Sequence, residues 1–339
     1  MIRPDAPFGH ADRLMDPDSA SVRQARGAKA AVDPWRPIAV WDEEEVAGPF
    51  ETVDCRVVLL AGAECPFTCA MCDLWRHTLA GPTPPGALPA QIEAALARAP
   101  AIPPMAAGPE PRWIKLYNAS NFTDPRAVPV VDRPRIAALV DRFERVIIET
   151  HPRLVDGSLH DFARSIGGRL EVALGLETIH PVVLPWLNKQ MTPADFAAAC
   201  ARLRAADIDA RAFVLVGLPG LDAPASIDAA IDAARFAAVA GCRHVSLIPT
   251  RSGNGFFDRL AADGSFVPVT AGAAEAALAG SLAAVAADCL VTLDLWDWDR
   301  MAGHCGECRA ARRARIERMH RARALLPLSP LDCGCRHGL

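Results

Sequence analysis

The chain has 339 residues, 51% of them hydrophobic and 22% charged, and a formal net charge of −4. That is enough apolar sequence for a sizeable core, which excludes wholesale disorder, and the near charge balance gives no global pull toward nucleic acid. Eleven cysteines in a long chain that starts Met1-Ile2-Arg3-Pro4-Asp5, with no apolar leader, speak against a secreted disulfide scaffold and place the protein in a reducing cytoplasm, where cysteine clusters mean metal or redox chemistry.

Residues 1–50 are polar and aperiodic, with Pro34, Pro37 and Pro49. They read as a flexible start and an N-terminal extension packed on the main domain through Trp35, Val40 and Trp41. A strand is predicted over 53–62 from Val57, Val58, Leu59 and Leu60, followed directly by three closely spaced cysteines. Pro82, Pro84 and Pro85 mark a loop, and a helix is predicted over 88–98. A second proline-rich loop (Pro100, Pro103, Pro104, Pro109, Pro111) leads to a strand from Trp113 to Tyr117.

The alternation then continues, with a helix over 133–143, a strand over 146–149, a helix over 157–166 and a strand over 170–177. Helices follow over 181–187 and 193–206, then a strand over 210–216, a helix over 224–240 and a strand over 244–248. A helix over 271–286 leads to a closing strand over 290–295. The most apolar stretch, 271–291, contains Glu275 and Asp288 and reads as an amphipathic helix entering a strand, so no membrane span is predicted. Strands separated by helices imply parallel units and an open or partial α/β barrel of the (β/α)6 type over 51–297, with a small cysteine-rich segment over 298–339. No Gly-x-Gly-x-x-Gly turn opens the first helix, so a dinucleotide-binding sheet is unsupported.

Cys65-x-x-x-Cys69-x-x-Cys72 lets one loop aim three thiolates at a common centre. Thiolates suit iron–sulfur clusters or zinc, and three ligands leave one iron of a cubane cluster without a protein ligand. Zinc or a chance grouping is the alternative. In a parallel barrel the chemistry sits at the C-terminal ends of the strands. That makes candidates of Asn118, Ser120 and Asn121, of Glu149, Thr150 and His151, of Glu177 and Thr178, of Pro219, and of Arg251, Asn254 and Asp297. Singly, each reads as a capping or loop residue; their recurrence at successive strand ends favours a shared pocket. Lys189 is either a solvated helix-end residue or a contact for an anionic group.

In the tail, Cys305 and Cys308 with Cys333 and Cys335 can complete a four-thiolate site across a helix over 309–325, as structural zinc or an auxiliary iron–sulfur cluster, with His304 and His337 as substitutes. Unrelated reduced thiols are the alternative. The helix carries Arg309, Arg312, Arg313, Arg315, Arg318, Arg321 and Arg323, which read as a solvated face or as an RNA phosphate contact. Cys55, Cys200, Cys242 and Cys289, in apolar surroundings, read as core.

The Cys65–Cys69–Cys72 spacing after a first barrel strand resembles the signature of the radical S-adenosylmethionine (SAM) superfamily. The likeness spans about residues 53–297. It implies a 4Fe–4S cluster on the three cysteines, with SAM chelated to the open iron. It also implies a ferredoxin- or flavodoxin-type reductant and a 5′-deoxyadenosyl radical that abstracts hydrogen from substrate. By the same resemblance Met71 lies against the adenine, and Asn118, Ser120 and Asn121 stand where the family commonly has Gly-Gly-Glu at the SAM amino group. Glu177 lies near the ribose or amino group, Gly217 and Pro219 run along the adenine, and Glu149 joins the cofactor-binding set.

The segments Tyr117–Phe122, Glu149–Pro152, Gly175–Thr178 and Leu187–Lys189 look like those of the radical-SAM subunit of archaeosine synthase and its bacterial relatives. They are more distantly similar to the radical domain of the elongator acetyltransferase. This implies a tRNA base as one substrate class. A small metabolite or peptide substrate is the second reading, and a non-catalytic iron–sulfur or zinc protein the third. The oligomeric state is not legible.

Overall fold

The computed structural model describes residues 17–98 and 111–327. Among them, eight strands form one sheet in chain order: β1 Ala39–Gly48, β2 Glu51–Leu59, β3 Trp113–Tyr117, β4 Arg145–Glu149, β5 Arg169–Glu177, β6 Asp209–Val216, β7 His244–Pro249 and β8 Leu290–Leu293. Strand β1 runs antiparallel to β2, and every later neighbour is parallel. The helices are α1 Ser19–Ala25, α2 Ala87–Leu96, α3 Arg133–Val140, α4 Gly157–Arg164, α5 Val183–Trp186, α6 Pro193–Ala205, α7 Ala223–Ala240, α8 Phe256–Ala262, α9 Ala271–Ala284 and α10 Cys308–Ala322. Six strand–helix–strand steps wind the sheet into a nearly closed, partial barrel.

Local chemistry fixes the helix starts. Thr192 and Asp195 form a capping box on α6, and Asp222 and Thr270 cap α7 and α9, each supplying an acceptor for an otherwise orphaned N–H. Alanine-rich α7 and α9 pack closely: at Gly280 even a Cβ would meet Ile231 at 2.2 Å.

The predicted flexible start lies largely outside the described residues, and the extension after it differs from the sequence reading. Ala39–Gly48 is a strand paired with β2. Its run Asp42-Glu43-Glu44-Glu45 hides it, because a charged run does not read as a strand. Each acid has a cation: Asp42 binds Arg56 at 2.5 Å, Glu43 binds Lys115 at 2.5 Å, Glu44 binds Arg321 at 2.6 Å, and Glu45 binds Arg211 at 3.0 Å. Inside the barrel, Glu45 with Lys115, and Glu171 with Arg211 and Arg145, form a buried ion-pair layer. Above it, the inward positions Tyr117, Gly175, Phe213, Ser246 and Thr292 are only partly buried, so the strand ends open on a lumen.

The segment over 309–325 is not a detached tail. Its helix, α10, covers the seam between the sheet's two edges, β1 and β8. His320, buried and held neutral by a pKa lowered to about 4 through burial, accepts the Leu293 N–H at 2.9 Å. The Phe50 N–H donates to the Arg321 carbonyl at 2.7 Å. No helix among the described residues is long and apolar enough to cross a membrane.

Candidate metal and cofactor centre

Strand β2 delivers the chain to a loop closed by a bridge between Ala63 and Leu79 that carries Cys65, Cys69 and Cys72. Asn188, from the turn after α5, donates Nδ2 to the Thr68 carbonyl at 2.8 Å and to Thr68 Oγ1 at 2.9 Å. The Ala70 N–H donates to the Leu187 carbonyl at 2.9 Å, and Asn254 Nδ2 donates to the Ala70 carbonyl at 2.9 Å. The segment leading out of α1 straps the loop from outside: Arg26 and Lys29 pair with Glu64 at 2.7 and 2.6 Å. Met71 packs with Ala70, Leu218 and Val22 in a small apolar cluster, so the turn after β6 meets the cysteine loop there.

The three thiols are buried or partly so, and burial dominates their protonation. It raises Cys65, lifts Cys69 to about 11 and Cys72 to about 12. Among the described residues no three His, Cys, Asp or Glu side chains converge tightly enough to hold a metal ion ready-made. The donor chemistry nonetheless fits a thiolate-ligated cluster. The loop carries three thiols, and an amide N–H and a buried ammonium face it. Asn121 Nδ2 lies 3.2 Å from Cys65 Sγ, and the Lys189 charge acts on both Cys65 and Cys69.

Lys189 is buried, and its Nζ donates to Glu177 Oε1 at 2.7 Å. Burial works against its charge, but Glu177 and the nearby thiols outweigh it and raise its pKa. The solvated helix-end reading of Lys189 is thereby corrected. Gly175 makes room for this pair, because a Cβ there would stand 2.3 Å from Glu177 Oε1 and 2.4 Å from Lys189 Nζ. Gly175→Ala is therefore expected to displace the pair and cost about 1–3 kcal/mol, read from the midpoint of denaturant unfolding.

Glu149, ending β4, accepts the N–H groups of Asn118 and Ala119 at 2.8 and 3.0 Å. Burial raises its pKa to about 7 in spite of these bonds. An acid whose folded pKa lies above its unfolded value keeps its proton longer when folded. Its charge therefore removes stability as pH rises from about 4.3 toward the folded value. Glu149→Gln keeps an acceptor for both N–H groups, and thermal melts from acid to neutral pH are expected to lose that part of the decline.

Around the strand ends, buried Asn118 Nδ2, Ser120 Oγ and Thr250 Oγ1 have no hydrogen-bond partner. Buried polar atoms normally find partners, and these three leave hydrogen-bonding capacity open at the strand ends. Among the described residues seven non-glycine positions have positive φ; Phe50, Asp207 and Arg323 lie elsewhere, and Ala119, Glu177, Asn188 and Gln190 (52°, 65°, 50° and 58°) lie around these strand ends. Gly217 also has positive φ, 87°, and its N–H and that of Leu218 donate to Ser226 Oγ at 3.0 and 2.8 Å, while Pro219 is buried.

Other candidates serve each other. Arg251 bridges Asp294 and Asp297 at 3.0 and 2.6 Å. Thr150 shares a 2.7 Å hydrogen bond with Thr123, and His151 stacks on Phe67 of the cysteine loop with ring centroids 3.7 Å apart. Sequence reasoning missed Arg26, Lys29 and Thr68, which act through contacts distant in sequence, and it placed Asn188 in a segment of interest without finding its contact to Thr68.

Cys305 and Cys308 lie with sulfurs 3.7 Å apart at the start of α10; Cys333, Cys335 and His337 lie outside the described residues. His304 Nε2 is engaged by the Trp298 carbonyl at 2.7 Å. In the arginine series, Arg312 and Arg315 bind Glu275 at 2.8 and 3.3 Å, Arg313 binds Glu317 at 3.1 Å and Arg321 binds Glu44. Arg309 donates to the Asp299 carbonyl at 3.0 Å, and Arg323 to that of Ala286 at 3.2 Å. A separate cavity of about 240 Å³, lined by Val155, Leu159, Arg202 and Ile208 among others, contains no cysteine.

No protein-family model matches the chain, and no curated protein matches it. Among solved structures it is similar to Elp3 of the archaeon Methanocaldococcus infernus with an N-terminal deletion, at 15% identity over 53% of this chain and 47% of that one, with a TM-score of 0.43. It is similar to the Escherichia coli coproporphyrinogen III oxidase HemN, described as a radical SAM enzyme, at 15% identity over 50% and 39%, with a TM-score of 0.35. It is also similar to the HMG-CoA lyase of Brucella melitensis, at 14% identity over 57% and 62%, with a TM-score of 0.36. The chain thus spans about half the length of the Elp3 structure. At these scores the likenesses carry no argument about activity.

Proposed function

We propose that the chain is a radical SAM enzyme. One observation carries this reading: a three-thiol loop at the C-terminal mouth of a parallel partial barrel stands beside buried polar atoms that lack partners. Cys65, Cys69 and Cys72 would hold a 4Fe–4S cluster. Asn118, Ser120 and Thr250 would offer their unpaired donors and acceptors to SAM, with Glu149, Glu177, Met71 and the 217–219 turn around it. When bound, the cluster supplies the electron that splits SAM and yields the 5′-deoxyadenosyl radical that abstracts hydrogen from substrate.

The chain's own contribution is position and dryness. The Lys189–Glu177 pair sets a fixed, nearly neutral charge arrangement beside the loop. The strap of Arg26 and Lys29, with the ring of Phe67 on His151, limits water on the outer side. The lumen above the ion-pair layer admits the substrate, and a ferredoxin- or flavodoxin-type protein supplies electrons.

A small metabolite or peptide is favoured over a tRNA base by one observation: at least six of the seven α10-region arginines already bind acids or carbonyls of the same chain. Cys305 and Cys308 would anchor zinc or a second cluster together with Cys333 and Cys335. The deciding experiment is anaerobic reconstitution followed by dithionite and SAM. Formation of 5′-deoxyadenosine is expected, by protein carrying about four irons where the tail holds zinc and about eight where it holds a second cluster. Its absence from fully loaded protein would leave a non-catalytic iron–sulfur protein.

A further inference from the structure

We infer that Asn121 is a positioning residue whose side-chain N–H binds the Cys65 sulfur and raises the reduction potential of the cluster on that loop, an inference that rests on the radical SAM reading above. Asn121 Nδ2 lies 3.2 Å from Cys65 Sγ. Its orientation is set by chemistry: the His151 backbone N–H donates to Asn121 Oδ1 at 2.6 Å, and a flipped amide would put two donors face to face. The residue is 2% exposed, so no water competes for the amide.

The support behind it is equally fixed. His151 Nε2 bonds the Lys189 carbonyl at 2.9 Å, and its ring stacks on Phe67, two residues beyond Cys65. Cys65, the loop that holds it, and the amide that meets it are thus tied into one unit. Asn121 also differs from its neighbours: Asn118 Nδ2 and Ser120 Oγ are unpartnered, whereas both ends of the Asn121 amide are already used. That assigns Asn118 and Ser120 to an incoming ligand and Asn121 to the sulfur.

Hydrogen bonds to ligating sulfurs are one of the protein's means of setting cluster potential. An electron added to the cluster increases the negative charge on sulfur, so an N–H donor favours the reduced state. Removing the donor makes reduction harder. Lys189 does not replace it, because its charge is matched by Glu177 at 2.7 Å.

The test uses the full chain, reconstituted anaerobically, with iron and sulfide counted first. A wild-type chain that takes up no cluster overturns the radical SAM reading and this inference together. With the cluster present, EPR-monitored redox titration without SAM compares wild type, Asn121→Ala and Asn121→Asp. The aspartate keeps the acceptor for the His151 N–H and sets a carboxylate against the sulfur. Its midpoint is expected to fall by at least a tenfold change in the one-electron equilibrium, about 59 mV, with alanine shifted less in the same direction. Equal midpoints at equal iron content overturn the inference while leaving SAM cleavage intact. If neither variant keeps iron, pulsed EPR of reduced wild type grown on isotope-labelled asparagine decides: a side-chain nitrogen coupling to the cluster is expected, and none overturns the inference.

Discussion

Cys69→Ala is expected to lose the cluster iron and, with it, all detectable 5′-deoxyadenosine, while the chain still folds. The reasoning is one of ligand number. With one of three thiols gone, the loop offers two soft ligands, and no neighbouring carboxylate or imidazole suits the cluster better. The fold has little stake in that sulfur. The loop is shaped by backbone and amide contacts that alanine leaves alone, including Cys72 N–H to the Cys69 carbonyl at 3.2 Å and Ala70 N–H to the Leu187 carbonyl at 2.9 Å. The comparison variant is Cys200→Ala, on the buried face of α6 with its sulfur 3.7 Å from that of Cys242. It is expected to cost stability and to spare iron content. Retention of the full wild-type iron content by Cys69→Ala would sink the assignment of the loop.

Lys189→Met is expected to be the most destabilising single change near the site, by about 3–5 kcal/mol, because it strands a buried carboxylate. Glu177 is 7% exposed and Lys189 likewise 7%, so water cannot take over the missing partner. Adding Glu177→Gln to Lys189→Met is expected to recover much of the loss, and the four proteins of that cycle measure the coupling directly. The Lys189 pKa is raised, so its contribution is complete below the unfolded value near pH 10.4 and fades only as pH climbs through the folded value. Unfolding at neutral pH therefore reports it in full. A single variant no less stable than wild type would show that the pair is solvated in solution.

The fold was legible wherever apolar runs met loops. Trp113–Tyr117 reads as a strand from five residues, and β4 to β7 follow to within about a residue. Strand β1 was not legible, because its acids face cations on β2, β3, β6 and α10, and nothing within residues 39–48 announces those partners. Helix α1 is seven residues with one apolar anchor, Val22, whose burial depends on Ala70, Phe256 and Phe257. The cysteine loop and the polar strand ends were legible as residue types. Their connections were not: whether Asn121 meets a sulfur, or whether Lys189 points inward, depends on segments brought together only by the closed sheet. The arginines of α10 mislead for the same reason, since Glu275 lies 37 residues before Arg312 and Glu44 lies 277 before Arg321.

The bonds that shape the cysteine loop also impose an order of events. Asn188 reaches back 120 residues to Thr68, and Asn254 reaches back 184 residues to Ala70. During synthesis the three thiols emerge long before either asparagine exists. Until β7 and the turn beyond it have been made and docked, the loop lacks the clamps that give it shape. Long-range contacts of this kind form late. The part of the chain made early is therefore completed near the end, and any metal the three thiols take up would meet a finished barrel rather than a nascent fragment.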